Sequence, residues 1–365
     1  MQPASRRVPP VGLPSLETKL GFLIQAATYP GLKQPPRCVQ THMSWLIFVG
    51  GQVLKLKKPV RFPFLDFTTL QAREHFCREE LRLNARLAPD VYRGLLKLCA
   101  GAAGLSLRTE SQAVLAGRPV EWLVWMRRLP TRRNLRRLIT HSTLAAADVA
   151  ALAQVLAGFY RTATPIRIDP SEVQTRMFRE QAANREVLLR PQFHLREVSR
   201  TLARLEQAMK EATDLLCARV SEGGLVDGHG DLRPEHVYLL DPPVIIDCLE
   251  FSAELRQVDP YDEIAFLGLE CAMAGAPWVG EHLALACAAE IGESLPPARL
   301  IKLYTARRAV LRARLAMAHL LDPVPCSPRR WPALAQRYLD AAAATLARRE
   351  TARPTFNAAM NRGRL

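Results

Sequence analysis

The chain has 365 residues, 48% of them hydrophobic, and a formal net charge of +15. That length and apolar content support a large core, in one bilobal unit or two domains. No run of 18 apolar residues occurs, which excludes a helical membrane span. The N-terminus, MQPASRRVPPVGLP, lacks an apolar h-region, which argues against a secretory signal, so residues 1–15 are expected to form a loose tail. Eight Cys are scattered without a CxxC pair or metal-ligand spacing, as for reduced thiols in a cytoplasmic protein. The charge leaves open nucleic acid, an anionic substrate, or an Arg-heavy composition without a partner.

In chain order, a short helix is predicted over 16–27, followed by strands over 38–42 and 44–49. Gly50-Gly51 is a hairpin signal, and 52–58 returns as a strand with Lys55 and Lys57 on one face and Leu54 and Leu56 on the other. Thr68 or Thr69 caps a helix over 68–88, where Leu70, Phe76, Leu83 and Leu87 recur at helical spacing and Pro89 stops it. Glu79 and Glu80 lie in its middle. Strands are predicted over 91–98, 106–115 and 120–126. The chain then turns helical, over 144–162, 171–189 and 196–220. Leu195, just before the last of these, and Val198, Leu202, Leu205, Met209, Ala212 and Leu216 within it form a buried seam. Further helices are predicted over 260–274, 279–291, 297–321 and 329–349.

Between these helices lies the stretch LVDGHGDLRPEHVYLLDPPVIIDCLEF, residues 225–251. Asp231 sits in a polar loop. Val237–Leu240 and Val244–Ile246 are β-rich runs separated by an Asp-Pro-Pro turn, which predicts a hairpin ending at Asp247. The hairpin returns Asp247 to the neighbourhood of Asp231, and two close carboxylates must share a cation or a proton.

His-Gly-Asp-Leu, a hairpin and Ile-Asp-x-x-Glu-Phe resemble the catalytic core of the aminoglycoside phosphotransferase family, within the protein-kinase-like superfamily. The resemblance runs from about residue 16 to 346 and implies an α+β, bilobal protein-kinase-like fold. Residues 16–126 would form a small antiparallel-sheet N-lobe, 127–350 a larger helical C-lobe and 351–365 a tail, with the active site in the cleft. It implies that Asp231 is the catalytic base facing an acceptor hydroxyl, with Arg233 beside it, and that Asp247 holds the metal. Lys55 is favoured as the phosphate-binding strand lysine, with Lys57 the alternative, and Glu80 as its helix partner, with Glu79 open. Thr41, His42 and Ser44 occupy the place of a Gly-rich phosphate loop, and backbone groups near Trp125 and Met126 that of the adenine contact. The cofactors implied are ATP and Mg²⁺, with Mn²⁺ as an alternative. Thr-His-x-Ser-Trp, Lys-Leu-Lys-Lys-Pro-Val and Phe-Leu-Asp-Phe resemble a branch often fused to a P-loop ATPase-like domain. No GxxxxGK[ST] follows here, as expected for a stand-alone form.

One position departs from the family pattern: His236 stands where Asn is usual. It either coordinates metal or hydrogen-bonds Asp231 and the loop, and the second reading is adopted. Asp262 is expected to cap its helix and buttress the loop, and Glu250 either to reach metal or substrate or to have no ligand. Arg127, Arg128, Arg132, Arg133, Arg136 and Arg137, with Arg307, Arg308, Arg312 and Arg314, suggest either anionic groups on the acceptor or a solvated basic face, and the second is favoured. The expected partners are ATP and a small hydroxyl acceptor, with no membrane and no nucleic acid, in a monomer or dimer. The rival classes are a nucleotide-binding pseudokinase and a nucleic-acid-associated protein.

Overall fold

A computed structural model describes residues 14–62, 65–112, 117–321 and 327–348. The chain divides into two compact units, one of residues 1–130 with 249–252, the other of 131–248 with 253–365. The tails at 1–13 and 351–365, and the end of the strand expected over 106–115, lie outside the described residues.

The first unit opens with helix α1 (Leu16–Leu23), then strands β1 (Arg37–Gln40), β2 (Ser44–Val49) and β3 (Gln52–Lys57). The short pair β4 (Arg61–Phe62) and β5 (Leu65–Asp66) leads to helix α2 (Leu70–Asn84), and β6 (Tyr92–Gly101), β7 (Gly104–Thr109) and β8 (Arg118–Arg127) complete it. The six long strands form one antiparallel sheet in the order β1-β2-β3-β8-β6-β7. Leu54 and Leu56 of β3 join Leu23, Ile47, Leu98 and Leu123 in its core, which leaves Lys55 and Lys57 on the opposite face. Thr69 caps α2, its hydroxyl accepting from Ala72 N.

The second unit is helical. It comprises α3 (Leu135–Thr140), α4 (Ala146–Thr162), α5 (Pro170–Leu188), α6 (Val198–Glu211) and α7 (Thr213–Ser221) before the central stretch. The helix expected over 196–220 is two helices that meet at Ala212. There Thr213 donates its hydroxyl to Met209 O, and such back-bonding bends helices. The central stretch holds β9 (Val226–Asp227), a 3₁₀ turn at Pro234–His236, and the hairpin β10 (Val237–Tyr238) and β11 (Val244–Ile245). Then come α8 (Ala253–Arg256), β12 (Gln257–Val258), paired with β9, and helices α9 (Pro260–Ala274), α10 (Val279–Ile291), α11 (Ala298–Ala318) and α12 (Arg330–Ala347). Helix α9 is buried continuously from Pro260 to Cys271, so it is the central post of this unit.

Among the described residues, no helix is long and apolar enough to cross a membrane.

Candidate active site

In the first unit, the face of β3 opposite the leucines carries a closed charge cluster. Lys55 Nζ donates to Glu80 Oε1 at 2.8 Å and Lys57 Nζ to Glu80 Oε2 at 2.6 Å. Lys57 also pairs with Glu250. Glu80 and the Lys57 side chain are fully buried, whereas the Lys55 side chain keeps 13% exposure. Burial alone would lower the Lys57 ammonium, but Glu250 and Glu80 outweigh it and hold it above its usual range. Glu79 instead pairs with Arg82 at 2.7 Å. The two strand lysines are therefore partners of one carboxylate. Glu250, expected to face metal or substrate or nothing, is the counter-charge of Lys57.

The turn between β1 and β2 is closed on itself. Thr41 Oγ1 donates to Ser44 O at 3.0 Å and accepts from Ser44 N, while Ser44 is buried. His42 stacks on Phe62, and Lys58 Nζ donates to the carbonyls of Thr41 and His42. Trp125 and Met126, whose neighbourhood was expected to supply the adenine contact, lie within β8. β8 runs between β3 and β6, and both residues are paired on both sides. Their backbone groups are therefore engaged in the ladder.

In the second unit, the loop at Asp231 is organised by two histidines. His229 is fully buried; its Nε2 lies 3.0 Å from Ile246 O, and its Nδ1 accepts from Asp231 N at 3.2 Å. Those partners fix a neutral ring with its proton on Nε2. Burial, aided by His236, lowers its pKa to about 4. His236 Nδ1 lies 2.8 Å from the Asp231 carbonyl, to which it donates. Its Nε2 lies 3.3 Å from Arg233 Nη2 and 3.4 Å from Asp247 Oδ2. One imidazole thus touches both acidic segments. Arg233 Nη2 pairs with Asp231 Oδ2 at 2.9 Å. Burial would raise the Asp231 carboxyl, but Arg233, His236 and Arg312 together hold it below the usual carboxylate range. Asp247 adopts φ 64°, an uncommon left-handed conformation for a residue with a side chain.

The loop is held from behind by Glu263 of α9. Its carboxylate accepts from His229 N at 3.0 Å, from Gly230 N and from Tyr160 Oη at 3.1 Å. Glycine is required at 228, because a Cβ there would lie 2.7 Å from Glu263 Oε2 and 2.5 Å from Val258 Cγ2. This corrects the role expected of Asp262. The helix is capped by Asp259, which accepts from Tyr261 N, and Asp262 forms a two-pronged pair with Arg308 at 3.0 and 2.9 Å. A carboxylate within the first turn of the helix after the loop was the available signal, and it pointed one residue early. Asn134 was missed altogether; its Nδ2 donates to Glu235 O at 2.8 Å and Val237 O at 3.2 Å, fixing the 3₁₀ turn.

The α11 arginines are partly buried, whereas Arg128, Arg132 and Arg137 of the other cluster are exposed. Arg307 pairs with Glu180, Arg308 with Asp262, Arg312 with Glu270, Arg133 with Asp148 and Arg136 with Glu235. The α11 row is therefore mostly ion-paired packing, where a solvated face was expected. Among the described residues, no group of three or more His, Cys, Asp or Glu side chains is placed to hold a metal. The Asp247 carboxylate is an oxygen donor of the kind a hard cation takes, whereas the neighbouring His236 ring nitrogen suits such an ion poorly.

A small antiparallel-sheet unit followed by a helical unit with this loop is the protein-kinase-like fold. The structure is similar to that of a choline/ethanolamine kinase family protein from Mesorhizobium loti, with TM-score 0.55 and 15% identity over 95% of this chain and 99% of that one. It is likewise similar to choline kinase from Cryptosporidium parvum Iowa II, with TM-score 0.54 and 11% identity over 90% and 95% of the two chains. The fold expected from the sequence resemblance is the fold found. An uncharacterized protein of Mycobacterium tuberculosis (strain ATCC 25618 / H37Rv) is 32% identical over 284 residues, 76% of this chain and 53% of that protein. The chain thus spans about half the length of the curated relatives it matches. No family model matches it.

Proposed function

We propose that the protein is an ATP-dependent phosphotransferase that moves the γ-phosphoryl group to a hydroxyl of a small molecule. The observation that carries this reading is His236, which bonds the Asp231 carbonyl and lies 3.4 Å from Asp247 Oδ2, so that the two acidic residues meet around one imidazole. Asp231 orients the acceptor hydroxyl and takes its proton late in transfer; held ionised by Arg233, it is a weak base suited to positioning. Asp247 holds the metal, which when bound neutralises phosphate charge, and His236 acts mainly by fixing Asp231. Lys55, the more accessible of the two strand lysines, steadies the phosphates while Glu80 aims it. Lys57 is enclosed by two carboxylates and serves as structure. The similar structures named for choline and ethanolamine kinases favour a small acceptor over a protein. The test is ADP release across a panel of small alcohols, together with Mg²⁺-dependent thermal stabilisation by ATP. Turnover with one acceptor, and loss of the Mg²⁺-dependent stabilisation in Asp247→Ala, are expected. ATP binding without any ADP release across the panel would favour a pseudokinase.

A further inference from the structure

Helices α5 and α11 pack together within the second unit, and part of the layer they share is polar and incompletely paired. Arg307 Nη2 of α11 donates to Glu180 Oε1 of α5 at 3.3 Å, while its Nε is buried without an acceptor. Arg314 lies about two turns further along α11, so it returns to the same side of the helix. Its Nε is also buried without an acceptor, and no described residue gives this guanidinium a hydrogen bond or ion pair. On α5, about one turn beyond Glu180, Asn184 is 1% exposed. Its Nδ2 donates to Gln181 Oε1 at 3.2 Å, but its Oδ1 has no donor. Gln181 is itself engaged with Leu202 O and Glu206.

Glu180 pairs with Arg307 and is also the carboxylate that acts on Arg314. Burial lowers the Arg314 pKa, with Glu180 as the opposing influence. Buried donors without acceptors are rare in native proteins because each carries its desolvation cost. An oxyanion brings acceptors for both Nε–H groups and neutralises positive charge beside them. We infer that the α5–α11 layer is a binding site for the oxyanion group of a small molecule, a phosphate or a carboxylate, held by Arg307 and Arg314. This site stands apart from the phosphotransfer reading and does not depend on it.

The test uses the full chain and inorganic phosphate as the probe, with thermal unfolding followed at constant ionic strength against chloride. Acetate serves as the carboxylate arm. A saturable rise in Tm with phosphate or acetate is expected for the parent, because a ligand of the folded state stabilises it by mass action. The rise should persist in Lys55→Ala, which removes the phosphate contact proposed in the other unit. In Arg314→Gln the midpoint concentration should rise about tenfold or more, the scale of one charge-assisted hydrogen bond. Arg307→Gln should behave alike and decides the matter if Arg314→Gln fails to fold. A response to only one anion identifies the group bound. No saturable rise over chloride in the parent, an equal rise in both arginine variants, or a rise abolished by Lys55→Ala would each overturn the assignment.

Discussion

Asp231 and Lys57 are both charged and paired, but removing them should do opposite things. Asp231→Asn keeps shape and removes a proton acceptor, so kcat should fall about 10²–10⁴-fold, the usual range for a positioned base. ATP affinity measured by calorimetry should stay close to the parent's; unchanged turnover would sink the role. Lys57→Met leaves Glu80 and Glu250 buried without their shared cation. It should cost about 3–5 kcal/mol of stability, as when one partner of a buried pair is removed. Lys55→Ala should slow turnover with a much smaller change in Tm, because Glu80 keeps Lys57; the reverse order would exchange the two roles. His229 sets a pH dependence. Its pKa is lowered to about 4 in the folded chain, against an ordinary value of 6.5. Between those values the unfolded chain binds more protons, so stability is full above about pH 6.5 and falls as pH drops towards 4, by up to about 3 kcal/mol from this group. Denaturant midpoints measured across that window should fall more steeply for the parent than for His229→Gln; parallel curves would refute the neutral, buried histidine. That the segments carrying Asp231 and Asp247 meet was legible in the sequence because the motif is local. Glu250 and Glu263 were not, since their partners, Lys57 and the His229 and Gly230 amides, come from distant positions or from the main chain.

Elements were legible where one force dominates and blurred where two compete. The sheet followed from alternation and from Gly50-Gly51, and α2 and α9 to α12 followed from apolar spacing and Pro boundaries. The helix over 196–220 read as continuous because its apolar seam crosses the break at Ala212, so burial hid a backbone event that spacing does not encode. The one-turn helix α8 and the short α3 were missed because they span too few residues to show a period. The approach of α9 to α10 depends on a glycine pair that spacing does not reveal either. A Cβ on Gly268 would lie 2.6 Å from Gly280 Cα, a main-chain atom that cannot move aside without shifting a helix. Gly268→Ala should therefore destabilise the protein by about 1–3 kcal/mol despite alanine's better helix propensity, the usual scale of overpacking. The measurement is the urea midpoint, with nucleotide affinity expected to remain at the parent value. A rise in the midpoint would mean that α9 and α10 are not packed this closely.

At the scale of the whole chain, the net charge of +15 is what most invites a different function. Phosphate-backbone binding needs a contiguous set of available cations, each releasing counterions, and it shows as a steep fall of affinity with salt. Net charge alone does not supply such a set. Arg133, Arg136, Arg176, Arg179, Arg219, Arg256, Arg308 and Arg312 each have a carboxylate partner within 3.1 Å. Others lie over aromatic rings, as Arg37 over Phe48 and Arg78 over Trp122. A cation already paired releases little when a phosphate arrives, because its local field is compensated. The expectation is that a labelled duplex of about 20 base pairs binds no more tightly than the ordinary non-specific range of about 10⁻⁴–10⁻⁶ M at physiological salt. Fluorescence anisotropy across a salt series measures both affinity and slope. Submicromolar binding with a slope corresponding to about six or more phosphate contacts would reverse the argument. The exposed arginines would then have to be read as a nucleic-acid surface, and the phosphotransfer site as secondary to it.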